Sequence, residues 1–86
     1  MNNHKVLITG GGGLVGLYLI DHLTSRGYDV LAVDRSEIAT AKLLEMRERM
    51  GARRSFRVEY GDILDPSLVA RVVGKTRIVI HCAGLK

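Results

Sequence analysis

The chain is poor in several residue types that commonly stabilise or localise a small protein. Its 86 residues include one cysteine, one proline, no tryptophan and 5% aromatics. A lone thiol, Cys82, excludes an internal disulfide, so stability must come from a packed core. No uninterrupted apolar run reaches the roughly 20 residues needed to cross a membrane. The polar start, Met1-Asn2-Asn3-His4-Lys5, leads straight into an apolar segment and leaves no room for a secretory leader. These absences predict a cytoplasmic protein without a membrane partner. His4, His22 and Cys82 lack any ligand spacing, which predicts no metal site. Acidic residues are also the minority, 9 against 13 basic, for a net charge of +4. The local excess at Arg47, Arg49, Arg53, Arg54 and Arg57 is interleaved with Glu45, Glu48 and Glu59 and contains no aromatic platform. That pattern reads as a solvated helix end, not as a nucleic-acid surface.

What the chain does have is glycine and a regular alternation of apolar segments. Eighty-six residues make one small domain at most, near the lower end of what folds alone. Strands are predicted at Lys5–Thr9, Asp29–Val33, Phe56–Tyr60 and Arg77–His81. Helices are predicted at about Gly13–Arg26, Glu37–Met50 and Pro66–Val73. In the first helix, Leu14, Leu17, Leu19, Ile20 and Leu23 predict burial over much of the surface. In the second, Ala39, Leu43, Met46 and Met50 form a stripe. Gly27 and Gly51 stop these helices, and Asp65 with Pro66 starts the third. A β-α-β-α-β-α-β series implies an α/β fold, with a parallel sheet and helices on both faces. With right-handed crossovers the expected strand order is 3-2-1-4, a partial doubly wound, Rossmann-like sheet with three helices.

The richest stretch is Thr9-Gly10-Gly11-Gly12-Gly13-Leu14-Val15-Gly16, between the first strand and the first helix. Glycines in that position allow a tight turn, close approach of a pyrophosphate and close packing of helix on strand. The helix N-terminus adds unpaired N–H groups and partial positive charge. Two registers fit. Gly11, Gly13 and Gly16 satisfy G-x-G-x-x-G, whereas Thr9, Gly10, Gly13 and Gly16 satisfy T-G-x-x-G-x-x-G. The acid that should accept from the adenosine ribose hydroxyls is Asp34, 18 residues beyond Gly16. A carboxylate there repels the 2′-phosphate of NADP and favours NAD. Arg35 leaves NADP open, because a guanidinium can pair with that phosphate or stack on adenine. The alternative for Asp34-Arg35-Ser36 is a polar loop in which Ser36 caps the next helix.

The second glycine register resembles the extended branch of the short-chain dehydrogenase/reductase family, which includes nucleotide-sugar epimerases and dehydratases. Two later segments carry the same resemblance. Gly61-Asp62-Ile63-Leu64-Asp65-Pro66 looks like that family's G-D-[LI]-x-D-P segment, and His81-Cys82-Ala83-Gly84 looks like its H-x-A-[AG] segment. The resemblance implies that Asp62 and Ile63 meet the adenine and that Ala83 and Gly84 border the ribose and pyrophosphate. Asp62 could instead simply organise a turn. His81 and Cys82, being adjacent in a strand, point to opposite faces and are expected to be a mostly buried pair, not a base and a nucleophile. The cofactor-binding residues expected from all this are Gly10, Gly12, Gly13, Leu14, Val15, Gly16, Asp34, Arg35, Asp62, Ile63, Ala83 and Gly84.

The family's chemistry uses a Tyr-x-x-x-Lys pair, and none is present. Four residues after Tyr18, Tyr28 and Tyr60 come His22, Ala32 and Leu64. No catalytic residue is therefore expected in residues 1–86. They read as the N-terminal part of a dinucleotide-binding domain from an oxidoreductase or epimerase acting on a sugar-nucleotide or related hydroxyl/carbonyl substrate. The apolar strand Arg77–His81 would be an open edge, available for self-association. A stand-alone NAD-binding sensor, or a truncated remnant that assembles through that edge, are the alternative readings.

Overall fold

A computed structural model of the chain describes residues 5–51, 54–73, 76 and 78–82. The elements in order are β1 (Lys5–Thr9), α1 (Leu14–Ser25), β2 (Asp29–Asp34), α2 (Glu37–Met50), β3 (Phe56–Tyr60), α3 (Pro66–Val73) and β4 (Ile78–His81). All strand pairs are parallel and the sheet order is β3-β2-β1-β4, as the alternation of elements implied. The fold is α/β and Rossmann-like, with three helices. Gly13 and Arg26, expected inside the first helix, are its two caps. β2 runs one residue further than expected, because Asp34 still pairs with Tyr60. Arg77 lies outside the described residues.

The core has two layers, one on each side of the sheet. Val6 and Ile8 of β1, with Val30 and Ala32 of β2, point toward α1 and α2, where Ile20, Leu43, Phe56 and Cys82 join them. Leu7 and Val33 point the other way and meet Leu68 and Val72 of α3. A strand covered on both faces must be apolar at successive positions, which is why β1 reads Val-Leu-Ile without alternation. The edge strands differ from each other. β3 carries Arg57 and Glu59, whereas β4 offers Ile78 and Val79 half-exposed, at 43% and 52%.

Helix α1 departs from expectation at one position. Ile20 is buried, with Gly16 and Thr24, and Leu17, Leu19 and Leu23 are half-buried against the core, but Leu14 is 87% exposed. Its apolar composition says how much surface could be covered. What is covered depends on which elements pack beside it. Helix α2 buries Leu43 and Thr40, with Ala39, Met46 and Met50 half-buried. The Thr40 hydroxyl is satisfied at the Ser36 carbonyl, 2.8 Å away. Ser36 caps this helix by accepting from the Ala39 amide at 3.2 Å. Asp65 starts α3 by accepting from the Ser67 amide at 2.9 Å.

Candidate cofactor-binding site

The chain returns from β3 through α3 on the opposite face and enters β4 beside β1, so successive connections leave β1 in opposite directions. A parallel sheet opens a crevice beyond the strand C-termini at such a point. Here it is a cleft of about 520 Å³ lined by Thr9, Gly10, Val33, Asp34, Arg35, Ser36, Gly61, Asp62, Ile63, Leu64, His81 and Cys82.

The glycine loop shows why its two registers are not equivalent. Gly10 has φ of 68°, a left-handed conformation that favours glycine, and its amide donates to the Val33 carbonyl at 2.8 Å. Gly16 packs directly on the backbone of Gly11, where any Cβ would collide with the Gly11 carbonyl. Gly13 meets neither demand. Its backbone is extended and an added Cβ would find nothing within 4 Å. Turn, open approach and close packing thus fall on Gly10, Gly13 and Gly16, the T-G-x-x-G-x-x-G register. Gly11 is buried against Ala32 and has no positive φ.

Beside Gly13 stands the N-terminus of α1, a 12-residue helix with no side-chain cap and no acid in its first turn. Its first intrahelical bond is Leu17 N–H to the Gly13 carbonyl, 2.9 Å. The earlier N–H groups, at Leu14, Val15 and Gly16, have no intrahelical acceptor and carry the positive end of the helix dipole. Leu14 and Val15 are exposed there. Helix α2, by contrast, is closed by Ser36 and has Glu37 in its first turn. The open space at Gly13 and the unclosed helix end are what an anion of pyrophosphate size would need.

Across the loop, the half-buried Asp34 carboxylate accepts from Gly12 N–H at 3.1 Å and from Ser36 N–H at 2.9 Å. Arg35 is exposed on the cleft wall and has no hydrogen-bond or ion-pair partner among the described residues. Asp62 organises a turn, accepting from Leu64 N–H at 2.9 Å through Oδ1 and from Asp65 N–H at 2.9 Å through its carbonyl. It also lines the cleft, beside Ile63. Gly61 joins the two walls, its amide donating to the Asp34 carbonyl at 2.9 Å. Ala83 and Gly84 lie outside the described residues.

The expectation for His81 and Cys82 is half corrected. Cys82 is buried in the α1/α2 core, and desolvation pushes its thiol above the ordinary value, so it stays protonated. His81 is exposed instead, because no further element covers this end of β4 among the described residues. Its Nδ1 is hydrogen-bonded to the Thr9 hydroxyl across the β1–β4 pair. Thr9, Ser36, Leu64 and His81 line the cleft although none was among the expected cofactor-binding residues. Each lies in or beside a motif segment, which was the available signal. The bond of His81 to Thr9 spans 72 residues and leaves no local one.

Several basic residues have structural partners. Arg47 donates to the Phe56 carbonyl at 3.0 Å, Arg54 pairs with Asp21, and Arg49 lies 3.7 Å from Glu45. Among the described residues no group of three or more His, Cys, Asp or Glu could hold a metal, and no helix is long and apolar enough to cross a membrane.

Comparison with known proteins places this geometry in a family context. The model of the NAD dependent epimerase/dehydratase family matches residues 6–86. A UDP-glucose 4-epimerase from Bifidobacterium longum is 37% identical over 83 residues, which is 94% of this chain and 24% of that protein. A UDP-glucose 4-epimerase from Klebsiella pneumoniae is 34% identical over 84 residues, 95% of this chain and 60% of that protein. Among solved structures, a short-chain type dehydrogenase/reductase from Mycobacterium ulcerans superposes with a TM-score of 0.74 at 31% identity, covering 98% of this chain and 34% of that one. The chain therefore spans 24%, 60% and 34% of the length of these three, less than two thirds of each.

Proposed function

The chain belongs to the NAD dependent epimerase/dehydratase family, and we propose that residues 1–86 are the N-terminal part of its dinucleotide-binding domain, holding the adenosine and pyrophosphate portions of NAD. One observation carries the reading. Gly13 is a glycine that the protein's own packing and backbone do not require, set at an open helix N-terminus three residues on from Gly10, which lines the cleft. A bound pyrophosphate supplies the missing reason. The amides around Gly13, Leu14, Val15 and Gly16 would donate to it, with Gly10 and Gly12 shaping the loop behind.

Asp34 would accept from the adenosine ribose hydroxyls, and Asp62 with Ile63 would meet the adenine edge. Ala83 and Gly84 would border the ribose and pyrophosphate, as the family resemblance implies. NAD is favoured over NADP because a 2′-phosphate would approach the Asp34 carboxylate, and like charges so close are costly. Arg35 would lie over the adenine face, not against a phosphate. Bound nicotinamide would supply a reversible hydride acceptor. In the whole protein that chemistry would serve a sugar-nucleotide substrate, as the names of the relatives support. These 86 residues contain no Tyr-x-x-x-Lys pair, so their part is to bind and orient the cofactor. A second reading has its own observation: the half-exposed Ile78 and Val79 of β4 favour pairing with another chain.

Calorimetric titration with each cofactor tests the first reading. Saturable binding of NAD at least about tenfold tighter than NADP is expected. No binding of either, or preference for NADP, would overturn it.

A further inference from the structure

The Asp34 carboxylate is engaged before any nucleotide is considered. Its bond to Ser36 N–H is a local turn, but its bond to Gly12 N–H spans 22 residues. That second bond ties the glycine loop to the end of β2. Two further features draw the same junction together. Gly12 is buried against Ala39, with no room for a side chain between them. Ala39 in turn donates its amide to Ser36 Oγ at 3.2 Å, which makes the first turn of α2 part of the unit.

We propose that Asp34 is a positioning residue as well as a binding one: its carboxylate fixes the glycine loop against the β2–α2 junction, so the loop has its binding shape before a nucleotide arrives. A carboxylate offers about four lone-pair directions. Two amides take two of them, leaving about two for the vicinal hydroxyls of a ribose. Loop shape and ribose recognition therefore share one side chain. A ligand that turned Asp34 aside would also release Gly12 and loosen the loop. What the loop receives rests on the cofactor reading above. The clamp itself does not.

The test uses nucleotide-free protein and NMR. A scalar coupling through the hydrogen bond, from the Gly12 amide nitrogen to the side-chain carboxyl carbon of Asp34, is expected in the wild type. In Asp34→Asn only one acceptor oxygen remains, so at least one of the two amides loses its partner. Hydrogen exchange at Gly12 or Ser36 should then quicken by about ten- to a hundredfold, with Ile8 and Ala32 in the core unchanged. Absence of the coupling, or equal exchange at both amides in both proteins, overturns the proposal. If the variant loses core protection, the wild-type coupling decides. NAD titration separates the two ideas. A coupling without NAD affinity keeps the clamp and removes the cofactor reading, whereas NAD affinity without the coupling removes the clamp alone.

Discussion

Gly13 and Gly16 stand three residues apart and are glycine for different reasons. Gly16 answers to the protein, since its neighbour is the Gly11 backbone. Gly13 answers to nothing in the protein, since its surroundings are open. Substitution should separate them. Gly16→Ala should cost about 1–3 kcal/mol of stability in chemical denaturation, because a rigid backbone must give way. Gly13→Ala should change stability by no more than about 0.5 kcal/mol yet weaken NAD binding by about tenfold or more, an expected penalty of roughly 1.4 kcal/mol. Equal destabilisation by both would make Gly13 a structural residue. The motif spacing pointed to both glycines from the sequence. It did not reveal the Gly12–Asp34 bond, because a contact across 22 residues leaves no periodic trace. His81 was misjudged for a related reason: its burial depends on what covers β4, and the sequence of β4 itself does not say.

At the scale of elements, local signals worked where they describe local physics. Ser36, Asp65 and Gly51 mark helix ends through side-chain acceptors and a φ of 75° at Gly51, all within a few residues of what they terminate. Every strand and helix accordingly lies within about one residue of its expected bounds wherever the structure describes it. Burial is different. The apolar surface of α1 was visible in sequence, but Leu14, Val15 and Tyr18 are exposed. Strand β4 makes the same point at a sheet edge. Its Ile78 and Val79 carry none of the charge that protects β3, where Arg57 and Glu59 alternate with apolar residues. Sedimentation across a concentration series should show self-association through this edge, and Val79→Lys should abolish it. A wild type that stays monomeric at every concentration would show that β4 does not pair with copies of itself.

For the whole molecule, the decisive feature is where the chain turns back. β2 and β3 build outward from one side of β1, and β4 is added on the other, so the glycine loop, Asp34 and Asp62 meet at a single cleft. Their sequence positions span 53 residues, from Gly10 to Asp62, and only the topology unites them. That topology was legible because alternating strands and helices leave few right-handed arrangements. A second, smaller cavity of about 160 Å³ opens near the strand starts, where Lys5, Arg57 and Arg71 stand with Asp29 and Glu59 and there is no glycine loop. The most direct measurement is therefore an amide-resolved NMR titration with NAD. The predicted result is saturable movement of Gly10, Gly13, Leu14, Val15, Asp34 and Asp62 with one shared affinity. No saturable shift, or shifts gathered at Lys5, Arg57 and Arg71 instead, would contradict the assignment of the cleft.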